Sequence, residues 1–94
     1  MAVEVELHQK ATRDYGTAAY YYSGMDSIDR VLWIIPTPSM AKAIQRGIIN
    51  ATENAEKHNF VLLSSIYESG WNAPIALGPD SGKTIADLVA KTAG

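Results

Sequence analysis

The chain has 94 residues, 47% of them hydrophobic and 19% charged, and ten acidic against eight basic side chains leave a formal charge of −2. This length and composition are typical of a single small folded domain over residues 1–94, and they exclude an intrinsically disordered chain. The balanced charge gives no field that would attract nucleic acid. The absence of cysteine excludes disulfides, thiolate metal ligands and a thiol nucleophile.

The chain also lacks a recognisable targeting signal. The sequence after Met1 has no basic region ahead of an apolar one, which is the pattern of a signal peptide. The longest aliphatic-rich run, residues 31–35, is far shorter than the roughly 20 residues that cross a bilayer. We therefore expect a soluble cytoplasmic protein that makes no membrane contact.

Two strands are predicted near the N-terminus. Val3, Val5 and Leu7 alternate with polar residues, which indicates a strand whose apolar side chains lie on a dry face and whose polar ones lie on a wet face. Residues 17–23 begin with a β-branched residue and end in three tyrosines. This composition favours a second strand, paired with the first as a hairpin.

A central strand is predicted over residues 28–35. Beyond Arg30 both of its faces are apolar, which is typical of a strand that is covered on both sides. Pro36 and Pro38 end this strand, because proline cannot donate a hydrogen bond to a neighbouring strand. Thr37 is placed to cap a helix that begins at Pro38.

The spacing of apolar residues predicts a long amphipathic helix over about 38–58. The apolar residues recur at steps of three and four along its stripe: Met40, Ile44, Gly47, Ile48, Ala51 and Ala55. Ile49 lies about 100° away from that stripe and is expected to be less buried. The glycine within the stripe predicts a close approach between the helix and a strand.

The second half of the chain predicts a further strand, a short edge strand and a final helix. Residues 60–67 come after the long helix, and a strand–helix–strand unit of this length makes its two strands parallel. Residues 72–77 are predicted as an edge strand because they contain Pro74. A helix over about 82–93 would be capped by Asp80 or Ser81.

Together these elements predict an α+β domain with the order βββαβ(β)α and a mixed sheet of four or five strands.

Few residues point to catalysis. The loop at 78–84 resembles a phosphate-binding loop but has three residues between its glycines where the motif needs four. His8 and His58 lack the spacing of a metal site, and we expect no metal and no cofactor. His58 is predicted at the C-terminal end of the long helix. Asp29 and Glu68 are the candidates for a general acid or base, and the catalytic residues stay unassigned.

The aromatic residues are the most distinctive feature of the sequence. Tyrosine and tryptophan combine a large apolar area with a polar tip, which suits protein interfaces. We therefore predict a partner-binding surface that includes Tyr20, Tyr22, Trp33 and Trp71. Packing within the sheet is the competing interpretation of these rings.

These features are compatible with three hypotheses for function. The first is a non-enzymatic interaction module that self-associates and presents an aromatic surface. The second is a small dimeric enzyme or ligand-binding protein with a pocket between sheet and helix, near Tyr22, Asp29 and Trp33. The third is an accessory or inhibitor protein of a mobile element. A pocket of at least about 300 Å³ that holds a buried ionisable group would favour the second.

A homodimer is predicted from the number of layers. Two strands that are apolar on both faces need two covering layers, and the chain offers one long and one short helix. The short helix would cover only part of the second face. We therefore expect a two-fold dimer, formed through that face or through the tyrosine-bearing hairpin.

Overall fold

The structure is a computed structural model, which describes residues 1–10, 12–51 and 55–93. It is a small α+β domain that contains a three-stranded sheet and four α-helices within those residues. In chain order the elements are β1 (Ala2–Val5), α1 (Thr12–Ser23), β2 (Val31–Ile35), α2 (Pro38–Ala51), β3 (His58–Leu62), α3 (Leu63–Ser69) and α4 (Ile85–Ala93). Short 3₁₀ turns cover Ala55–Lys57 and Gly70–Asn72.

The three strands form a parallel sheet in the order β1-β2-β3. Trp33 pairs with Glu4 on one side and with Phe60 on the other, so these three side chains share one face, which we call the first face. Leu32 pairs with Val3 and lies on the opposite, second face. The predicted four- or five-stranded mixed sheet with the order βββαβ(β)α is therefore wrong.

The largest error concerns residues 17–23, which form the second half of helix α1 and not a strand. Tyr15, Ala19 and Tyr22 are buried at helical spacing, whereas Tyr20 and Tyr21 are exposed. The three adjacent tyrosines obscure this helical spacing in the sequence, because three adjacent rings fit a strand as well as a helix. Because α1 replaces the hairpin, β1 is joined to β2 by a helical crossover and pairs with it in parallel.

The predicted phase of the long helix is confirmed, although the helix is shorter than expected. Ile44 and Ile48 are fully buried and Ile49 is exposed. Helix α2 ends at Ala51, and residues 52–54 lie outside the described part of the chain. Gly47 faces α1: a Cβ added at Gly16 of that helix would lie 3.6 Å from the carbonyl oxygen of Gly47 and 3.0 Å from the Cβ of Ala51.

The predicted parallel pairing across α2 is confirmed, because β2 pairs in parallel with β3. Both strands are shorter than the predicted 28–35 and 60–67, and β3 passes directly into α3 at Leu63. His58 is the first residue of β3 and is buried, so its predicted place at a helix end is wrong.

The segment between α3 and α4 is a bent hairpin and not the predicted edge strand. Ile75 donates to the carbonyl of Lys83 at 2.7 Å and accepts from Gly82 at 3.0 Å. Leu77 and Ala76 bond to Phe60 at 2.8 Å, so this segment also lies against the outer edge of β3. We call residues 73–85 the cover segment.

Helix α4 begins at Ile85, three residues later than predicted, and its cap is neither Asp80 nor Ser81. The amide of Asp87 donates to Thr84 Oγ1 at 3.1 Å, and the amide of Thr84 donates to Asp87 Oδ2 at 2.9 Å. This reciprocal pair is a capping box, in which two otherwise unpaired amides are satisfied.

Candidate functional site

Strand β1 is inverted relative to the prediction. Val3 and Val5 are 52% and 58% exposed, whereas Ala2 and Glu4 between them are half-buried beneath α1. The Glu4 carboxylate accepts a hydrogen bond from the hydroxyl of Tyr22 on that helix. The apolar side chains of β1 thus lie on the second face, over which the described residues provide no complete cover.

An apolar groove of about 410 Å³ lies on this second face. Leu32 and Ile34 of β2 form part of its lining, and parts of β1, α3 and α4 surround them. The described lining residues are Met1, Val3, Leu32, Ile34, Ile66, Gly70, Trp71, Ile85 and Val89. Trp71 is 69% exposed, so its ring is accessible to a partner. None of the described lining side chains is ionisable.

The other half of the second face is closed by the cover segment and α4. Leu32 and Val61 of the sheet pack with Ala73, Ile75 and Leu88 in a second buried cluster. This packing ends beside the groove, where Ile34 and Ile66 are only partly buried. The second face is therefore half covered, and the uncovered half lies over β1.

A buried polar network fastens the cover segment to the sheet. Asn59 donates to Asp80 Oδ2 at 3.0 Å and accepts from the Asp80 amide at 3.0 Å. Arg30 Nε lies 3.2 Å from Asp80 Oδ2, and Lys83 Nζ lies 3.5 Å from Asp80 Oδ1. Gly78 passes so close that an added Cβ would lie 2.5 Å from Asn59 Oδ1. This part of the 78–84 loop therefore has its carboxylate and lysine engaged with each other.

The structure separates the four predicted partner-binding aromatics. Trp71 lies in the groove on the second face, and Tyr20 is exposed on α1 across the sheet. Tyr22 and Trp33 are buried in the first-face core, packed with Tyr15 and Phe60. Only Trp71 therefore combines exposure with a concave apolar surface.

The first-face core contains a neutral histidine. Trp33 Nε1 donates to His58 Nδ1 at 2.9 Å. Burial, assisted by the neighbouring charge of Lys57, lowers the pKa of His58 to about 4, so the ring accepts this bond as a neutral base. The hydrogen bond to Glu4 and burial raise the pKa of Tyr22 to about 12. These groups are hydrogen-bonded in pairs, Trp33 with His58 and Tyr22 with Glu4, beside the first-face core.

The two carboxylates considered for acid–base chemistry do not meet in a pocket. Asp29 is exposed and lies 3.2 Å from Arg30, and Glu68 is exposed on α3. Of the three residues around which a pocket was predicted, Tyr22 and Trp33 are buried in the first-face core and Asp29 is exposed. Within the described residues, no group of three or more His, Asp or Glu side chains could hold a metal ion.

The groove contains residues that the sequence did not indicate. Ile66 was predicted in the strand over 60–67, and Val89 lies within the predicted last helix. No pattern in the sequence identifies the groove, because the alternation in β1 does not say which of its two sets of side chains faces a covering layer.

Comparisons with protein-family models, with curated proteins and with solved structures find no match for this chain. No helix within the described residues is both long and apolar enough to cross a membrane. The groove is therefore interpreted from its own chemistry.

Proposed function

We propose that this domain is a non-enzymatic interaction module that forms a two-fold homodimer through the uncovered half of its second sheet face. The observation that carries this proposal is the inversion of β1, in which two valines face solvent while Glu4 between them is turned inward to Tyr22. Exposing apolar side chains in this arrangement is unfavourable for an isolated chain, and the cost falls once a second chain contacts them and removes part of their surface from water.

The exposed apolar area supports this occupant. Met1, Val3, Val5, Trp71 and Val89 together leave on the order of 500 Å² in contact with water, since a whole aromatic side chain presents about 150–250 Å². A standard interface buries roughly 800 Å² per partner, of which about 60% is apolar. The uncovered half of the second face supplies that apolar share.

A small apolar ligand is the second candidate, because a volume of about 410 Å³ falls within the range of ligand sites. Such sites also need a few convergent polar groups to orient the ligand. The described lining side chains supply none that is charged, which favours a protein partner over a reacting substrate. The soluble cytoplasmic setting stays a prediction that accompanies this proposal.

Light scattering at several protein concentrations tests the proposal on two matched variants. The unmodified chain should give twice the chain mass, and Trp71→Ser should shift the distribution towards the monomer at the same concentration. Tyr20→Ser is the control, because Tyr20 is equally exposed but lies on α1 across the sheet.

A monomer at all concentrations would contradict self-association. A dimer that Tyr20→Ser weakens and Trp71→Ser leaves intact would place the interface on the tyrosine-bearing helix and would overturn the role of the groove.

A further inference from the structure

The outer edge of β1 has unused hydrogen-bonding groups. The amides of Ala2 and Glu6 donate to β2, to the carbonyls of Arg30 and Ile34, each at 3.0 Å. Backbone groups of a strand alternate in direction, so the N–H and C=O of Val3 and Val5 point away from β2. No described residue pairs with this edge, and β1 is the terminal strand of the sheet. The opposite edge, at Phe60, is bonded to Leu77.

We propose that the second copy adds its own β1 to this edge, antiparallel and centred on Val3, so that the dimer has a continuous six-stranded sheet. This inference rests on the proposed function and specifies how the two chains meet. A two-fold axis perpendicular to the sheet makes the two edge strands antiparallel and keeps the second faces on the same side. On this shared surface Val3 packs against Val3 and Met1 against Val5 of the other copy, and the two grooves adjoin across the axis.

The charges of β1 select the register. The second faces of both copies lie on the same side of the joined sheet. In that arrangement a two-fold axis at Glu4 sets Glu4 directly opposite its own copy. A two-fold axis at Val5 sets Glu4 opposite Glu6. Like charges directly opposite one another destabilise a strand pair. An axis at Val3 instead sets Glu4 opposite Ala2 and pairs Met1 with Val5 on the second face. This is the longest pairing of β1 that opposes no two acids.

Glu4 of β1 and Glu6 just after it do not block this edge, because each is bound within its own chain. Glu4 accepts from Tyr22, and Glu6 lies 3.4 Å from Lys10 Nζ with its side chain largely buried. Charged side chains protect a sheet edge only where they extend over it. The edge therefore presents backbone groups flanked by two exposed valines.

Cysteine cross-linking tests the register directly, because the chain contains no cysteine and any disulfide must join two chains. In the proposed pair Val3 lies opposite Val3, with Cα atoms about 5.5 Å apart, a separation that a disulfide can span. Val5 would lie roughly 14 Å from its own copy, which is too far. Val3→Cys should therefore cross-link readily under mild oxidation, and the equally exposed Val5→Cys should not.

A second variant tests the edge without new chemistry. Val3→Pro removes an N–H that β2 does not use, and proline is tolerated on an edge strand when its N–H side faces away from the sheet. It should abolish the dimer and keep the circular dichroism of the folded chain.

The outcomes separate this inference from the proposed function. A chain that is a dimer by light scattering but cross-links at Val5→Cys or Glu4→Cys in preference to Val3→Cys has another register, and the inference is overturned. A dimer that Val3→Pro leaves intact also overturns it, while the proposed function stands. A chain that is monomeric throughout overturns both.

Discussion

The two faces of the sheet are built from the same three strands but are closed to different extents. On the first face, α1 and α2 cover Val31, Trp33 and Ile35 completely. On the second face, α4 and the cover segment reach Leu32 and Val61 but leave the valines of β1 exposed. Consecutive parallel strands in the order 1-2-3 place both crossover helices on one side, so the other side depends on the chain that comes after β3.

The two faces differ because the longest helices both cover the first face, whereas the cover over the second face is incomplete. Here the described residues after β3, 63–93, contain two α-helices of seven and nine residues and one hairpin. Helices of this length span only about 10–14 Å. They close one half of a face, and the remaining half is the groove.

The largest expected effect contrasts a buried position with an exposed position on the same helix, α2. Ile48→Ala should lower the free energy of unfolding by about 2–5 kcal/mol, because it leaves a cavity in the first-face core. Ile49→Ala, at a position that is 56% exposed, should change it by well under about 1 kcal/mol. Urea unfolding of both variants measures the contrast, and comparable losses would contradict the assignment of the sealed face.

The second expected effect concerns pH and also belongs to the first face. Burial holds the pKa of His58 at about 4 in the folded chain, against about 6.5 when unfolded. The unfolded chain therefore binds the extra proton, and the free energy of unfolding falls as pH drops from about 6.5 to about 4. The total loss is about 3 kcal/mol.

Urea midpoints across this range, compared between the unmodified chain and His58→Gln, measure the contribution of His58. The variant should lose part of the acid sensitivity, whereas His8→Gln, at an exposed site, should keep it. An unchanged pH profile in His58→Gln would show that the imidazole is not held neutral by the core.

A smaller effect is expected from the polar network that joins the cover segment to the second face of the sheet. Asp80→Ala removes the carboxylate that accepts from Asn59 and pairs with Arg30, and it should lower the free energy of unfolding by about 1–3 kcal/mol. Hydrogen exchange should rise at Ile75 and Leu77 of the cover segment more than at Trp33. Asp26→Ala, at an exposed turn, is the control, and an equal effect at Asp26 would contradict the role of the network.

The sequence predicted those parts of the fold in which one periodicity was unambiguous. The stripe through Ile44 and Ile48 placed α2 and its buried face, and the helix between two apolar runs implied parallel strands. The strand prediction for residues 17–23 was wrong because three adjacent tyrosines fit a strand as well as a helix. Only the spacing of Ala19 from Tyr15 and Tyr22 indicates a helix. The prediction for residues 63–69 was wrong because the apolar strand β3 passes directly into α3, with no turn residue between them.

The candidate site was less predictable than the fold. Trp71 was identified by its residue type, but Trp33 has the same type and is buried. Alternation in β1 correctly separated its valines from its acids, but it could not say which set faces a covering layer. That depends on Tyr22, which reaches Glu4 from a helix 18 residues further along the chain.

The most direct test of the uncovered half-face uses the two tryptophans as probes of the two faces. The chain has only these two indoles, and Trp33 is buried and bonded to His58 while Trp71 is exposed in the single chain. At a concentration where light scattering gives the dimer mass, a dissolved paramagnetic agent should bleach the Trp71 indole N–H signal less than it does in the monomeric Val3→Pro variant, while the Trp33 signal persists in both. A Trp71 signal that is bleached equally in the dimer and in the Val3→Pro variant would contradict contact between the groove and a second copy.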